Sequence, residues 1–537
     1  MTLALWCPIR ASRQGNPPSL TQKDTNPLCN PCMSLNYNFI WLLCYLLVLV
    51  GLAGYGFHRL SIVYLYWKNR NNKPQPKARF QELPVVTVQL PMFNEKFVVD
   101  RLLESVAALD YPQDKLEIQI LDDSTDDTTE QCYRKVEELK SRGFDAVCIH
   151  RTDRTGFKAG ALEAATKVAK GEFLLILDAD FVPEPDLLQK TIHFFTDENV
   201  GLVQTRWGHI NREYNLLTRI QGMYLDGHFA MEQTARNRSG RFFTFNGTAG
   251  IWRKCVIGEA GGWSHDTLTE DMDLSYRVQL KGWRFIYLND VVTPAELPVD
   301  MDGFKSQQHR WTKGSIQVCQ KILLDIWRSN APLKAKVEAT THLTCNYSYL
   351  LLALLCFLVY PICTQRIPEN ETVFMWFVNV ALFFMTSVAV CIFYMSAQIV
   401  VRPKSWWKEL PYLPLLLTLS VGMAVNNAKA VLEAIFGHQS AFVRTPKYGV
   451  DRKEDRRHVS QLKRNGYRAI KSVVIPVLEI ACGTFFLNLI IIMIRQGHYL
   501  SPILMIPFLG FYYTGFCSLG RMISNLLPAK QTAKAKN

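Results

Sequence analysis

The stretch Phe173-Leu174-Leu175-Ile176-Leu177-Asp178-Ala179-Asp180 constrains this chain more than any other. An unbroken apolar run of strand length reads as a β-strand buried on both faces, the habit of a parallel sheet. Two carboxylates close the run, and Phe181-Val182-Pro183-Glu184-Pro185 cannot extend it. Paired acids off the end of a buried strand are expensive unless something positive lies between them. Hard oxygen ligands suit Mg2+ or Mn2+ carrying a phosphorylated ligand. A solvated acid pair in a turn is the plain structural alternative.

The same pattern recurs upstream. Residues 85–90, 116–121 and 147–149 read as further strands, with helices expected over 125–140 and 159–169. Strands and helices alternating at this spacing predict a parallel, doubly wound α/β sheet, whose ligands collect beyond the carboxyl ends of the strands. Asp122, Asp123, Asp178 and Asp180 all fall at such ends.

Flanking this region the composition changes. The chain has 537 residues, 60 Lys+Arg against 47 Asp+Glu and a net charge of +13, yet its mean hydropathy is near zero. That combination predicts apolar membrane segments segregated from a charged soluble part. Residues 1–37 are polar and Pro-interrupted and read as a disordered tail, with Met33 an alternative start. Residues 39–57 are apolar enough for one crossing and lack a cleavage signal, so an anchor is expected. Arg59, Lys68, Arg70, Lys73, Lys77 and Arg79 follow, which places this side in the cytoplasm by the positive-inside rule. Four later stretches, 342–363, 373–395, 473–494 and 501–526, are also apolar enough to cross, giving five crossings in all. Residues 410–425 would put the basic stretch 444–471 outside if they crossed, so 400–436 read as interfacial or re-entrant. The positive charge therefore describes topology and contact with anionic lipid; nucleic acid is not an expected partner. The 14 cysteines show no paired Cys-x-x-Cys at zinc spacing.

Pro91-Met92-Phe93-Asn94-Glu95, Asp122-Asp123-Ser124, Lys158-Ala159-Gly160, Asp178-Ala179-Asp180, Thr269-Glu270-Asp271 and Gln307-Gln308-His309-Arg310-Trp311 occur in this order. Together they resemble the D, DxD, TED, QxxRW signature of processive family-2 glycosyltransferases of the cellulose-synthase superfamily. Phe436-Gly437-His438-Gln439-Ser440 and Arg444-Thr445-Pro446-Lys447-Tyr448-Gly449 bring the likeness nearest to the plant cellulose-synthase-like mannan and xyloglucan-backbone synthases. The resemblance implies a cytoplasmic, Rossmann-like GT-A domain over 83–332, after an anchor and basic linker at 38–82. A transmembrane channel region would occupy 333–537, with a gating-like loop at 437–450.

The resemblance also assigns roles that chemistry can rationalise. Asp122 or Asp123 would meet the base or ribose of a sugar nucleotide, although Asp123 is also placed to cap the helix after it. Lys158, next to a helix N-terminus, would meet the diphosphate, and Asp178 and Asp180 would hold the bridging Mg2+ or Mn2+. Inverting transfer needs a base opposite the leaving group; the resemblance makes Asp271, beside Glu270, that base. Thr269 and the two acids also suit a helix start, a purely structural reading. Arg310 suits the pyrophosphate. Trp311, with Gln307, would form the acceptor-sugar platform, while a Trp beside an Arg can equally anchor a helix at a membrane surface. The helix after it, 312–326, is expected to lie along that surface. Phe245-Asn246-Gly247-Thr248 is similar to the segment facing the terminal acceptor sugar, where bacterial cellulose synthases carry a Cys-containing version. Thr445 and Lys447 resemble a gating loop that closes over the diphosphate; a basic loop touching lipid head groups is the alternative. Only a short basic tail follows 526, so control through a C-terminal PilZ-like domain is not expected.

The expected function is an inverting, metal-dependent synthase that elongates a β-1,4-linked glucan, mannan or glucomannan and passes it through its own helices. UDP-glucose or GDP-mannose would be the donor, the growing polysaccharide the acceptor and the bilayer a constant partner; accessory subunits stay open. The location would be a Golgi membrane in a eukaryote or the inner membrane in a bacterium. A non-processive transferase acting on diacylglycerol or sterol is the alternative within enzymes. A transporter or receptor with an α/β sensor domain fits the ordered acids poorly.

Overall fold

A computed structural model describes residues 31–364, 381, 384–439, 445, 447–450, 473–496 and 502–526. Residues 1–30 of the expected tail 1–37, residues 373–380 and 382–383 of the expected crossing 373–395, and residues 440–444 and 446 of the gating-like loop 437–450 lie outside these residues.

Seven strands form one sheet in the order β3-β2-β1-β4-β6-β5-β7. They are β1 (Val86–Met92), β2 (Leu116–Asp122), β3 (Asp145–His150), β4 (Phe173–Ile176), β5 (Val200–His209), β6 (Gly250–Arg253) and β7 (Arg284–Ala295). The first four are mutually parallel, as their apolar runs predict. The other three depart from the expected all-parallel sheet. β6 returns antiparallel between β4 and β5, and β5 pairs parallel with β7. A two-layer core explains the arrangement. Val86, Val88 and Leu90 pack on one face with Ile118, Ile120 and Leu175. Leu174, Ile176, Trp252 and Tyr287 pack on the other.

Helices of nine or more residues surround and follow the sheet. In chain order they are α1 (Pro31–Asn69), α2 (Val99–Ala107), α3 (Thr128–Ser141), α4 (Phe157–Val168), α5 (Leu216–Asp226), α6 (Glu270–Leu280), α7 (Met301–Arg328), α8 (Leu333–Thr344), α9 (Tyr347–Thr364), α10 (Ala389–Val401), α11 (Leu413–Gly422), α12 (Ala424–Ile435), α13 (Val474–Arg495) and α14 (Pro502–Leu526). The first helix runs on to Asn69, so Arg59 and Lys68 stand on it and not in a linker. α7 begins where the Asp300 carboxylate caps the N–H of Gly303 at 2.9 Å. It carries the whole Gln-x-x-Arg-Trp motif in its first turns. α7 buries Phe304, Lys305, Thr312, Ile316 and Ile322 against the rest of the protein, while Gln320, Lys321, Leu324 and Asp325 of the stretch expected along the membrane surface are exposed. Burial on several sides is what lets it bridge the sheet domain and the apolar helices.

Among the described residues, two helices are long and apolar enough to cross a membrane, Ile40–Asn69 and Val474–Arg495, or up to four if each bent pair is one span. The bent pairs are Leu333–Thr344 with Tyr347–Pro361, at 53°, and Trp406–Gly422 with Ala424–Ile435, at 41°. The second pair is the stretch read from sequence as interfacial or re-entrant, and its break allows either geometry. The expected 373–395 crossing is represented by the shorter apolar helix Met385–Val401.

Candidate active site

The carboxyl ends of β1, β2 and β4 open into a cavity of about 780 Å3, where such a sheet is expected to bind its ligand. Asp123, Lys158, Asp178, Asp180, Asn246, Gly247, Glu270, Asp271, Gln307, Arg310, Trp311, Thr445 and Lys447 line it. Residues far apart in the chain thus converge on one space.

Three expected site residues do not reach it. Asp122 is fully buried; its carboxylate accepts from Thr129 Oγ1 at 2.7 Å and the Ser124 N–H at 3.0 Å, and meets His150 Nδ1 at 2.7 Å. It braces the turn after β2. Asp123, next to it, faces the cavity and takes both arms of Arg151, Nε at 2.8 Å and an Nη at 2.6 Å. It does not cap α3, whose N-cap position belongs to Asp127. Phe245 is core: its ring meets Trp252 edge-on, centroids 5.4 Å apart. Thr248 is also buried, with its hydroxyl accepting from the Asp178 N–H at 2.8 Å. An apolar or small side chain in a turn can face either way, and local sequence does not say which.

At the end of β4, Lys158 Nζ pairs with Asp178 and donates to the Gly247 carbonyl at 2.9 Å. Burial alone would lower the Lys158 pKa, but Asp178 and Glu270 outweigh it and the net shift is upward. Asp180 Oδ2 accepts from Lys447 Nζ at 2.7 Å and from the Glu296 N–H at 3.1 Å. Among the described residues no cluster of three His, Cys, Asp or Glu forms a complete metal cage. Two carboxylates are nevertheless the donor set of a Mg2+ or Mn2+ that takes its remaining oxygens from phosphate and water. Asp178 and Asp180 fit that group.

Glu270 and Asp271 open α6. Thr269 stands at the N-cap, but its side chain makes no capping bond. Asp271 Oδ1 accepts from its neighbour Met272 N–H at 2.8 Å. Burial, then the adjacent Glu270, raise its pKa to about 7. Two close approaches hold it in place. Gly247 has φ +79°, and a Cβ there would stand 3.1 Å from Asp271 Oδ2. A Cβ on Gly314 would stand 2.5 Å from Thr269 Cγ2, so glycine lets α7 press against the start of α6. Arg310 is half-buried, within electrostatic reach of Glu270, Asp178 and Asp271. Trp311 packs against the Leu225, Phe229 and Leu297 cluster at the same wall.

Several residues of the site carry no sequence motif. Arg151 holds Asp123, and Glu296 lines the cavity at the end of β7. The buried Glu296 carboxylate accepts the N–H groups of Tyr448 and Gly449 at 3.0 Å and of Val450 at 3.2 Å. Both residues follow strand ends, so the rule that singled out the aspartates, applied to every strand, finds them too.

Comparison with known proteins follows the same outline. Residues 84–314 match the family model described as glycosyltransferase like family 2. The chain is 42% identical over 286 residues to glucomannan 4-beta-mannosyltransferase 2 of Arabidopsis thaliana, covering 50% of this chain and 53% of that protein. It is 41% identical over 277 residues to glucomannan 4-beta-mannosyltransferase 1 of Oryza sativa subsp. japonica, covering 51% and 53%. The chain thus spans about half the length of the curated relatives it matches. Among solved structures, a mannosyltransferase from Pyrobaculum calidifontis in complex with GDP-Man and Mn2+ is similar with a TM-score of 0.52. That match covers 74% of this chain and 100% of the other at 20% identity, a likeness of fold.

Proposed function

We propose, for a chain whose residues 84–314 form a family-2 glycosyltransferase domain of GT-A-like mixed α/β fold, that it is an inverting, metal-dependent hexosyltransferase of the membrane. On this reading it elongates a β-1,4-linked glycan from a nucleotide sugar and passes the product through its own helices. The observation that carries the reading is the convergence of Asp271, the Asp178–Asp180 pair and Trp311 on one cavity. GDP-mannose is the favoured donor, supported by the names of the relatives.

Each residue then has a task. Asp123, steadied by Arg151, receives the nucleoside end of the donor. Lys158, Arg310 and Lys447 bring positive charge to the diphosphate, and Asp178 and Asp180 hold the Mg2+ or Mn2+. Once bound, that cation stabilises the negative charge that develops on the departing nucleoside diphosphate. Trp311 stacks on the apolar face of the acceptor's terminal sugar. Asp271 takes the proton of the acceptor hydroxyl. That oxygen forms the new bond to the anomeric carbon from the face opposite the diphosphate. The old carbon–oxygen bond breaks with its electron pair on the leaving group, so the configuration inverts. A base whose pKa is raised to about 7 is matched to proton transfer near neutral pH. Helices Ile40–Asn69 and Val474–Arg495 support placement in a membrane, and the basic residues Lys68, Arg70, Lys73, Lys77 and Arg79 at and beyond the end of the first support a cytoplasmic cavity.

The test is to incubate the purified full chain with Mn2+ and GDP-mannose, or UDP-glucose in parallel, and to size the product. A polymer cleaved by an endo-β-1,4-mannanase is the expected result. A lipid carrying one sugar would overturn the polymer reading, and no transfer from either donor would overturn the enzyme reading.

A further inference from the structure

Behind the acceptor end of the cavity runs a chain of largely half-buried polar contacts that the assignments above leave unused. Gln233 Nε2 donates to Asn246 Oδ1 at 2.6 Å and to the Thr244 carbonyl at 2.8 Å. Asn246 Nδ2 lies 3.0 Å from His228 Nε2, and His228 Nδ1 lies 3.0 Å from Glu232 Oε2. Glu232 is ion-paired with Arg59 of the membrane helix α1 and with Arg236, at 3.3 Å from the latter.

These contacts determine one another's polarity. Gln233 Nε2 already donates to a carbonyl, so the Asn246 atom facing it is the oxygen. The nitrogen of Asn246 therefore faces His228. A carboxylate only accepts, so His228 carries its proton on Nδ1 toward Glu232. Burial, then Arg236 and Arg59, lower the His228 pKa to about 3, which keeps the ring neutral. Nε2 is then a lone-pair acceptor for one Asn246 N–H. The amide cannot turn over without setting donor against donor at Gln233 and acceptor against acceptor at His228. Its other N–H has no partner among the described residues, and Asn246 lines the cavity. The next residue, Gly247, abuts the Asp271 carboxylate.

We infer that His228 and Glu232, with Gln233, are positioning residues that hold Asn246 as a hydrogen-bond donor to the acceptor's hydroxyl oxygen, beside the Asp271 base. The inference rests on the glycosyltransferase reading. A donor at this place occupies one oxygen lone pair and leaves the hydroxyl proton for Asp271, so the hydroxyl is turned the way transfer needs. A carboxamide free to flip would present its oxygen half the time and compete for that proton. Arg59 and Arg236, which hold Glu232, also line a second cavity of about 440 Å3 among the apolar helices. The orientation of Asn246 is thus tied to a membrane helix.

The test uses the full-length wild type, His228→Ala, His228→Gln, Asn246→Ala and Arg59→Met, with GDP-mannose, Mn2+ and β-1,4-mannohexaose as added acceptor. KM is measured for donor and acceptor separately, and GDP binding reports whether each variant keeps its donor site. Losing one hydrogen bond should raise the mannohexaose KM about 10-fold in His228→Ala and Asn246→Ala. The donor KM and GDP binding should stay within about 2-fold. Arg59→Met should show the same selective loss in smaller measure. His228→Gln, whose amide oxygen can accept from Asn246, should recover most of what His228→Ala loses. An unchanged acceptor KM, a loss shared equally by donor and acceptor, or no recovery with Gln would each overturn the inference. If His228→Ala does not fold, Asn246→Ala and the Gln variant still decide it. Absence of transfer by the wild type would instead remove the glycosyltransferase reading, and the inference with it.

Discussion

Lys447 Nζ lies 2.7 Å from Asp180 Oδ2, so the second acid of the strand-end pair already holds a positive charge. The lysine is delivered by an anchored segment, because the Glu296 carboxylate accepts three successive backbone N–H groups just after it. A divalent cation arriving at Asp180 meets like charge at contact distance and must displace the lysine or share with it. The displaced lysine is then beside the diphosphate. Lys447→Met should therefore bind Mn2+ more tightly in the absence of nucleotide while transferring sugar roughly 10-fold more slowly. Mn2+ titration followed by electron paramagnetic resonance reads the first effect and product release the second. Weaker metal binding in the variant would contradict the competition.

The pKa of Asp271 gives a pH prediction with a definite sign. In the proposed mechanism transfer needs the carboxylate, and burial with Glu270 raises its pKa to about 7. The rate should climb as pH rises through about 7 and level off above it. Glu270→Gln removes a like charge, lowers the Asp271 pKa and moves the rising limb to lower pH. Asp271→Asn should abolish transfer yet keep GDP binding. A limb that stays put in Glu270→Gln would show that another group titrates.

The four parallel strands were legible because each is a local apolar run, and in β2 and β4 that run ends on carboxylates. What eluded sequence depends on distant partners. Arg151 lies 28 residues from Asp123, and Lys447 lies 267 from Asp180. β6 is only four residues long and antiparallel, a direction that no periodicity encodes. Phe245 and Trp311 are both aromatic and both beside motif residues, yet one is core and the other cavity wall. Only the packed sheet separates them.

Asp122 and Asp123 should part under mutation. Asp122→Ala strands the Thr129 hydroxyl, His150 and the Ser124 N–H in a buried turn, costing about 1–3 kcal/mol. Its donor KM should change little once folding is corrected for. Asp123→Ala strands the Arg151 guanidinium and so also lowers the thermal midpoint, but it should in addition raise the GDP-mannose KM. Thermal unfolding in detergent and donor titration together check both halves.

Phe245 and Trp311 offer the same contrast between core and site. Phe245, 1% exposed, fills space against Trp252, and its truncation to Ala should cost about 3–5 kcal/mol. Trp311→Ala should cost less stability and raise the acceptor KM, because its ring faces the cavity. Equal midpoints for the two variants would show that Phe245 is not the packing residue its burial makes it.

Lys305 on α7 and Glu479 on α13 form an ion pair at 2.5 Å, and Lys305 also reaches the Thr514 carbonyl at 3.0 Å and Ser518 Oγ at 2.9 Å. Both are almost fully buried. A lone charge left in such a place is far more costly than the intact pair or none, so Lys305→Met and Glu479→Met alone should each cost about 3–5 kcal/mol. The double variant should cost less than the two losses summed, by a coupling of about 0.5–3 kcal/mol in a double-mutant cycle on the thermal midpoint. Additive losses would mean that the two side chains act independently. Since α7 also carries Arg310 and Trp311, loosening this joint should raise the acceptor KM in the single variants. Restoring neutrality in the double variant should bring it back toward the wild-type value.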